Sequence, residues 1–247
     1  MCQVIFIIFL LFSTFIKADD LSTANANWAP WRVLNDKGAL EGIDIDILQY
    51  VANDLDLNLV TKGCGWKRCL KHMEVGGSDV MTGLYKTAER EKYMTFIDPA
   101  YYTTQGICFY TLKSNALNIQ RYEDLQSLTI GVVDKVSHFE RFDHDLSINK
   151  LVAVTGQALF RLLKGGRIDA IVLNCINGDI SINKDNRKEL IERSAYIFKT
   201  HRPVYLAISN KSPLLKRKEE FSKSLQKMLN NNEVEKILES YGIVSID

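Results

Sequence analysis

One local pattern occurs twice in this chain, 90 residues apart, and it limits the folds open to it. An apolar helical stripe (Trp66, Leu70, Met73) stops at Gly76-Gly77, and Asp79 then opens the short run Val80-Met81-Thr82. Farther on, Leu159, Leu162 and Leu163 form a helical face, and Gly166-Arg167-Ile168-Asp169 opens Ala170-Ile171-Val172-Leu173. Each passage reads as helix, G-x-x-D, strand. Around them strands and helices alternate. Asp46 reads as the N-cap of a helix whose apolar face is Ile47, Leu48, Val51 and Leu55, and Leu57 to Thr61 reads as the strand that follows. Such alternation implies an α/β protein with mostly parallel sheets, and the echo implies two similar α/β lobes. Taken alone the echo has low specificity, because G-x-x-D is also a common turn from helix into strand.

Two stretches are long enough to join such lobes. Tyr101 to Tyr110 is rich in β-formers and reads as an extended segment leaving the first lobe; Ser194 to Ser209 reads as a second one carrying the chain back. The C-terminal part is helical, with Phe221, Leu225, Met228 and Leu229, then Val234, Ile237, Leu238 and Tyr241 before Gly242. The boundaries are residues 19–102 for the first part of lobe I, 103–199 for lobe II, and 200–247 for the return and C-terminal helices.

The N-terminus bears on compartment. Val4 to Phe12 is an almost unbroken apolar run, followed by Ser13, Thr14 and Ala18. It is short for a membrane span and fits a secretory signal peptide over residues 1–18, cut after Ala18, although Met1, Cys2 and Gln3 lack the usual positive charge. Removing it takes away one of 31 basic residues, leaving 30 bases against 30 acids. That balance argues against nucleic acid as a partner. Four cysteines remain, Cys64, Cys69, Cys108 and Cys175, with three possible full pairings; Cys64 and Cys69 are the nearest couple. No histidine stands at ligand spacing beside a C-x-x-C, so neither a metal nor another cofactor is expected.

Arg90 is the residue of greatest chemical interest. Thr87 is a good N-cap, which puts Arg90 in the first turn of a helix, where a capping box would use Glu or Gln. A guanidinium beside unpaired helix N–H groups suits a ligand carboxylate, gripped by two parallel bonds. The alternative is a solvated arginine among Glu89, Glu91 and Lys92, and spacing alone leaves the two even.

From Trp28 to Gly242 the chain resembles the family-3 extracellular solute-binding proteins, the type that includes the polar amino-acid receptors of bacterial ABC importers. The resemblance is carried by W-A-P-W at 28–31, E-G-I-D-I-D at 41–46, W-K-R-C-L at 66–70, G-x-x-D at 76–79, T-A-E-R at 87–90, F-I-D-P-A-Y at 96–101, E-D-L at 123–125, I-G-V-V at 130–133 and G-R-I-D-A-I at 166–171. It implies the two-lobed periplasmic-binding-protein (type II) fold, with ligand held in the cleft and closure by hinge motion. Arg90 matches the family's carboxylate-binding arginine. Trp28 matches the aromatic that covers the ligand, the alternative being a half-buried core tryptophan. Trp31 reads as core, and Trp66 as an anchor for its helix. Tyr85 stands where many amino-acid receptors have a small hydroxyl residue, with Gly83 on the strand-end loop beside it, so the pocket floor differs.

Two departures fall in the second lobe. Where many members have Gly-Thr after the G-V-V-type strand, this chain has Asp134-Lys135-Val136-Ser137-His138. Ser137 with Glu140 reads as a capping box, preserving an anion site at the helix start, with Lys135 and His138 available to converge on the ligand. Asn174 stands where amino-acid receptors place the aspartate that pairs with the α-ammonium, which favours a net anion such as a keto acid, dicarboxylate or small peptide-like carboxylate. The resemblance therefore implies a monomeric binding protein capturing a small carboxylate-bearing ligand, an amino acid or related organic anion, in the periplasm for an ABC permease. The alternatives are a cleft dehydratase acting on prephenate or arogenate, with Asp134 or Asp179 as acid, and a ligand-sensing module.

Overall fold

The computed structural model describes residues 19–183 and 187–243, so the signal peptide expected over residues 1–18 lies outside the described residues. In chain order come β1 (Asp20–Asn25), the small pair β2 (Val33–Leu34) and β3 (Leu40–Glu41), α1 (Ile43–Asp54), β4 (Asn58–Gly63), α2 (Trp66–Val75), β5 (Val80–Leu84), the short α3 (Ala88–Glu91) and β6 (Met94–Leu112). The second stretch holds β7 (Thr129–Val133), α4 (Glu140–His144), β8 (Asn149–Ala153), α5 (Gly156–Lys164), β9 (Ala170–Asn174) and α6 (Cys175–Asn183). β10 (Ile191–Ser209), α7 (Lys218–Asn230) and α8 (Glu233–Ser240) complete the described chain.

Eight strands form one sheet in the order β4-β1-β5-β10-β6-β9-β7-β8. At one end β4, β1 and β5 are parallel, and at the other β9, β7 and β8 are. The nineteen-residue strands β6 and β10 run antiparallel through the middle. The start of β6 pairs with the end of β10 in the first lobe (Met94 with Ser209), and its end pairs with β9 in the second (Ile107 with Asn174). Between these regions lie the rungs Thr104–Arg202, Thr103–Pro203 and Tyr102–Val204, flanked by register breaks in β10. Both crossing segments are thus strands, longer than the β-rich runs suggest.

The repeated G-x-x-D has a physical basis. Gly76 (φ 79°) and Gly166 (φ 63°) adopt the left-handed conformation that ends a helix. In each lobe the aspartate then clamps the neighbouring strand: Asp79 accepts the Ser22 backbone N–H at 2.9 Å, and Asp169 accepts that of Thr129 at 2.7 Å. Each backbone N–H of the aspartates donates in return, to Ser22 O and Thr129 O.

The helices bury the faces that periodicity indicates. Ile43, Ile47, Leu48 and Val51 of α1 are fully buried, each contributing roughly 2 kcal/mol of transfer free energy. However, α1 begins three residues before Asp46, which therefore sits inside its first turn and is not the N-cap. Gly42 precedes the helix at φ 115°, where a side chain would meet the carbonyls of Pro30 and Trp31. Those carbonyls accept the N–H groups of Ile43 and Asp44, replacing a side-chain cap.

Among the described residues two disulfides are formed. Cys64 bonds Cys69 at the entrance to α2, and Cys108 of β6 bonds Cys175 at the start of α6.

Candidate functional site

A cavity lies between the lobes, at the ends of β5 and β9 and beside the central rungs of β6 and β10. Trp28, Trp31, Trp66, Tyr85 and Tyr102 give it an aromatic first-lobe wall, and Val133, Val172 and Leu173 face them from the second.

Arg90 enters from the first lobe. The Thr87 hydroxyl caps α3 by accepting the Arg90 backbone N–H at 3.3 Å, and this tight turn carries the side chain inward until the residue is only 5 % exposed. One Nη donates to Tyr85 O at 2.8 Å and the other to Lys135 O at 3.3 Å, while the guanidinium carbon lies 5.4 Å from the Trp66 ring centroid. Among the described residues no carboxylate stands within ion-pair distance of it. Burial pushes its pKa below the usual arginine value, yet a guanidinium remains charged. A desolvated cation lacking a counter-charge costs several kcal/mol, so an arriving carboxylate is strongly favoured.

The floor is a second charged group. Arg32 is buried with its Nη1 2.5 Å from Asp44, and it also donates to Ala26 O and Thr82 O. Asp44 accepts the Tyr101 hydroxyl at 2.7 Å through its other oxygen. Burial pushes the Asp44 carboxyl above its usual range, opposed by the Arg32 charge and by hydrogen bonds from Tyr101, Thr82 and Arg32. Gly83, at φ 71°, lies against this pair so closely that a Cβ would collide with the Arg32 guanidinium.

In the second lobe the turn after β7 differs from the expected capping box. The N-cap of the five-residue α4 is Phe139, with no side-chain cap. Asp143 folds back instead, accepting the Ser137 hydroxyl at 3.0 Å and the His138 backbone N–H at 2.9 Å. The anion position expected at the helix start is filled by the chain's own carboxylate. Lys135 is also corrected: its left-handed backbone (φ 63°) sends the side chain to solvent, 3.8 Å from Glu89, and only its carbonyl turns inward to accept from Trp66 and Arg90.

Asn174 ends β9. Its Oδ1 accepts the backbone N–H of Ile176 at 3.1 Å and of Asn177 at 3.5 Å, while its buried Nδ2 has no partner among the described residues. Trp28, Gly83, Tyr85, Arg90, Ser137, His138 and Asn174 all line the cavity. The acids considered for catalysis do not. Asp134 pairs with Lys67 at 3.2 Å outside it, and Asp179 pairs with Arg193 at 2.8 Å.

Several participants escape a reading of the sequence. Arg32 and Asp44 lie within or just after recognisable motifs but carry no spacing signal, and Arg202 sits in an otherwise ordinary strand. Trp31, read as core, is buried and also lines the cavity, its Nε1 donating to Asn177 Oδ1 across the cleft. Trp66 anchors α2 and also supports Arg90. The lobes therefore touch across the cavity, with Trp28 packed against both cores.

Residues 22–243 match the family described as bacterial extracellular solute-binding proteins, family 3. The chain belongs to that family. Among relatives of this solute-binding protein, a probable histidine-binding protein of Neisseria gonorrhoeae is 27% identical over 160 residues, covering 60% of this chain and 56% of that one. A probable amino-acid-binding protein of Bacillus subtilis (strain 168) is 27% identical over 142 residues, covering 56% and 52%. The chain spans about half the length of the curated relatives it matches. An ancestral arginine-binding protein solved with arginine superposes with a TM-score of 0.76 at 24% identity, covering 88% of this chain and 95% of that one, which establishes the shared two-lobed fold. Among the described residues of this family member no helix is long and apolar enough to cross a membrane, and no cluster of His, Cys, Asp or Glu is placed to hold a metal.

Proposed function

We propose that the protein captures a small carboxylate-bearing solute between its lobes and presents the closed complex to an ABC permease. The observation that carries this reading is Arg90, a buried guanidinium with no acidic partner among the described residues, facing an aromatic cavity between two lobes. The lobes are residues 19–102 with 200–247, and residues 103–199; β6 and β10 flex at the rungs Tyr102–Val204 and Thr104–Arg202. Closure excludes water around the ion pair and so strengthens it.

Binding is favoured over catalysis because Asp44, the single carboxylate lining the cavity among the described residues, has both oxygens engaged and is no free acid. Export to an oxidising compartment such as the periplasm is supported by the two disulfides, Cys64–Cys69 and Cys108–Cys175.

The test is calorimetric titration of mature protein with a panel of carboxylates, beside Arg90→Ala. A ligand at a hundred times its Kd adds ~2.7 kcal/mol of stability. Arg90→Ala is expected to weaken binding about 100-fold with the fold intact, the loss of charge-assisted bonds. Unchanged affinity in the variant would remove Arg90 from the site.

A further inference from the structure

The cavity's hydrogen-bonding inventory is one-sided. Six of the acceptor groups that line it are engaged within the protein: Asp44 by Arg32 and Tyr101, Asn174 Oδ1 by backbone N–H groups, Asn177 Oδ1 by Trp31, Tyr85 O by Arg90, Thr104 Oγ1 by the Tyr85 hydroxyl and Ser137 Oγ by Arg202. The donor Asn174 Nδ2, in a residue 8 % exposed, has no partner among the described residues. A buried donor left without an acceptor is costly, and the occupant of the cavity is what can supply one.

An α-ammonium is a poor match for this wall. It brings three donors and a charge, and it would meet another donor at Asn174 and the Arg90 cation in the same cavity. His138, with Nδ1 3.3 Å from Asp143, brings no negative charge to the cavity either. The amide at 174 does not reverse itself to help. Turning it would put NH2 against the N–H groups of Ile176 and Asn177, donor against donor.

Resting on the reading of a carboxylate held by Arg90, we propose that the solute is an amine-free oxo acid with an apolar body: its carboxylate pairs with Arg90, its neutral carbonyl accepts from Asn174 Nδ2, and its body fills the aromatic and aliphatic walls. The side chains of Val133, Val172 and Leu173 in those walls offer a second carboxylate no donor.

Matched pairs differing only in C=O against C–NH3⁺ test this: phenylpyruvate against phenylalanine, and 4-methyl-2-oxopentanoate against leucine, titrated into unfolded-and-refolded protein freed of bound solute. The oxo acid is expected to bind at least tenfold more tightly in at least one pair. Asn174→Asp keeps the oxygen that caps α6 and restores a negative charge, so it is expected to reverse the preference. Equal or tighter binding of the amino acid by the wild type, or an unchanged ratio in Asn174→Asp, overturns the proposal. Silence from both pairs overturns the oxo-acid assignment. The underlying reading fails separately, only if a wider panel that includes dicarboxylates and polar amino acids also gives no binding.

Discussion

The guanidinium of Arg202 lies 3.8 Å from the ring centroid of Tyr85. Tyr85 belongs to the first lobe, and the same guanidinium reaches the second by donating to the carbonyls of Ser137 and His138 and to the Ser137 hydroxyl at 3.3 Å. Burial lowers its pKa, offset by Tyr85 and Asp143. Arg202 is therefore a strap between lobes, rooted in a crossing strand. Arg202→Ala is expected to shift the free protein toward open forms and weaken solute binding about tenfold, from a cation–π contact of ~1 kcal/mol and bonds of similar size. Small-angle scattering would report a larger radius of gyration; an unchanged radius and affinity would rule out the strap. Arg202→Lys is not expected to rescue it, because an ammonium lacks the planar fork.

Gly83→Ala tests the floor. The new methyl collides with the Arg32 guanidinium at a left-handed backbone position, and relief requires Arg32 to leave Asp44. Separating a buried pair leaves an uncompensated charge, so a loss of about 3 kcal/mol or more is expected in urea unfolding. A loss below ~1 kcal/mol would mean that Arg32 has somewhere else to go.

Acid should loosen the turn behind Ser137. Burial raises the Asp143 pKa, but hydrogen bonds and charge from His138, with the Ser137 hydroxyl, outweigh it and hold the carboxyl below its usual value. A folded-state pKa below the unfolded one means the stabilisation is complete above about pH 4 and disappears as pH falls through the folded value. Asp143→Asn is expected to flatten that acid limb in thermal unfolding measured from pH 5 down to pH 2. An identical pH profile in the variant would count against the assignment.

Reduction should separate the two disulfides. Cys108–Cys175 closes a loop with sequence separation 67, against 5 for Cys64–Cys69. Chain-entropy arguments give ~4 kcal/mol for the long loop and ~2 kcal/mol for the short one. The Cys108→Ser, Cys175→Ser double variant is therefore expected to lose more stability than Cys64→Ser, Cys69→Ser in denaturant titrations. The reverse order would show that native packing, not loop closure, dominates.

Much of the architecture was legible in the chain. The helix–glycine–aspartate–strand echo marked two similar lobes because left-handed glycines and strand-clamping aspartates are local devices, readable from adjacent residues. Thr87 and Arg90 were legible for the same reason, since a cap acts over three residues. Reading failed where the deciding partner lay across a turn or a lobe. Ser137 and Glu140 had the spacing of a capping box, but Asp143 takes the Ser137 hydroxyl and the His138 backbone N–H, and the helix starts after Phe139. Lys135 had the right charge and the wrong backbone angle.

The order of apolar and turn residues by itself determined the α/β class, the crossing strands and the presence of an arginine in a capped turn. Tertiary structure alone decided what that arginine faces. Asn174, a neutral side chain in sequence, became a donor once α6 engaged its oxygen, and Arg202 became a strap once β10 carried it between Tyr85 and the Ser137 turn. Hydrogen-bonding direction depends on partners brought together from distant parts of the chain, and residue type or spacing alone does not encode it.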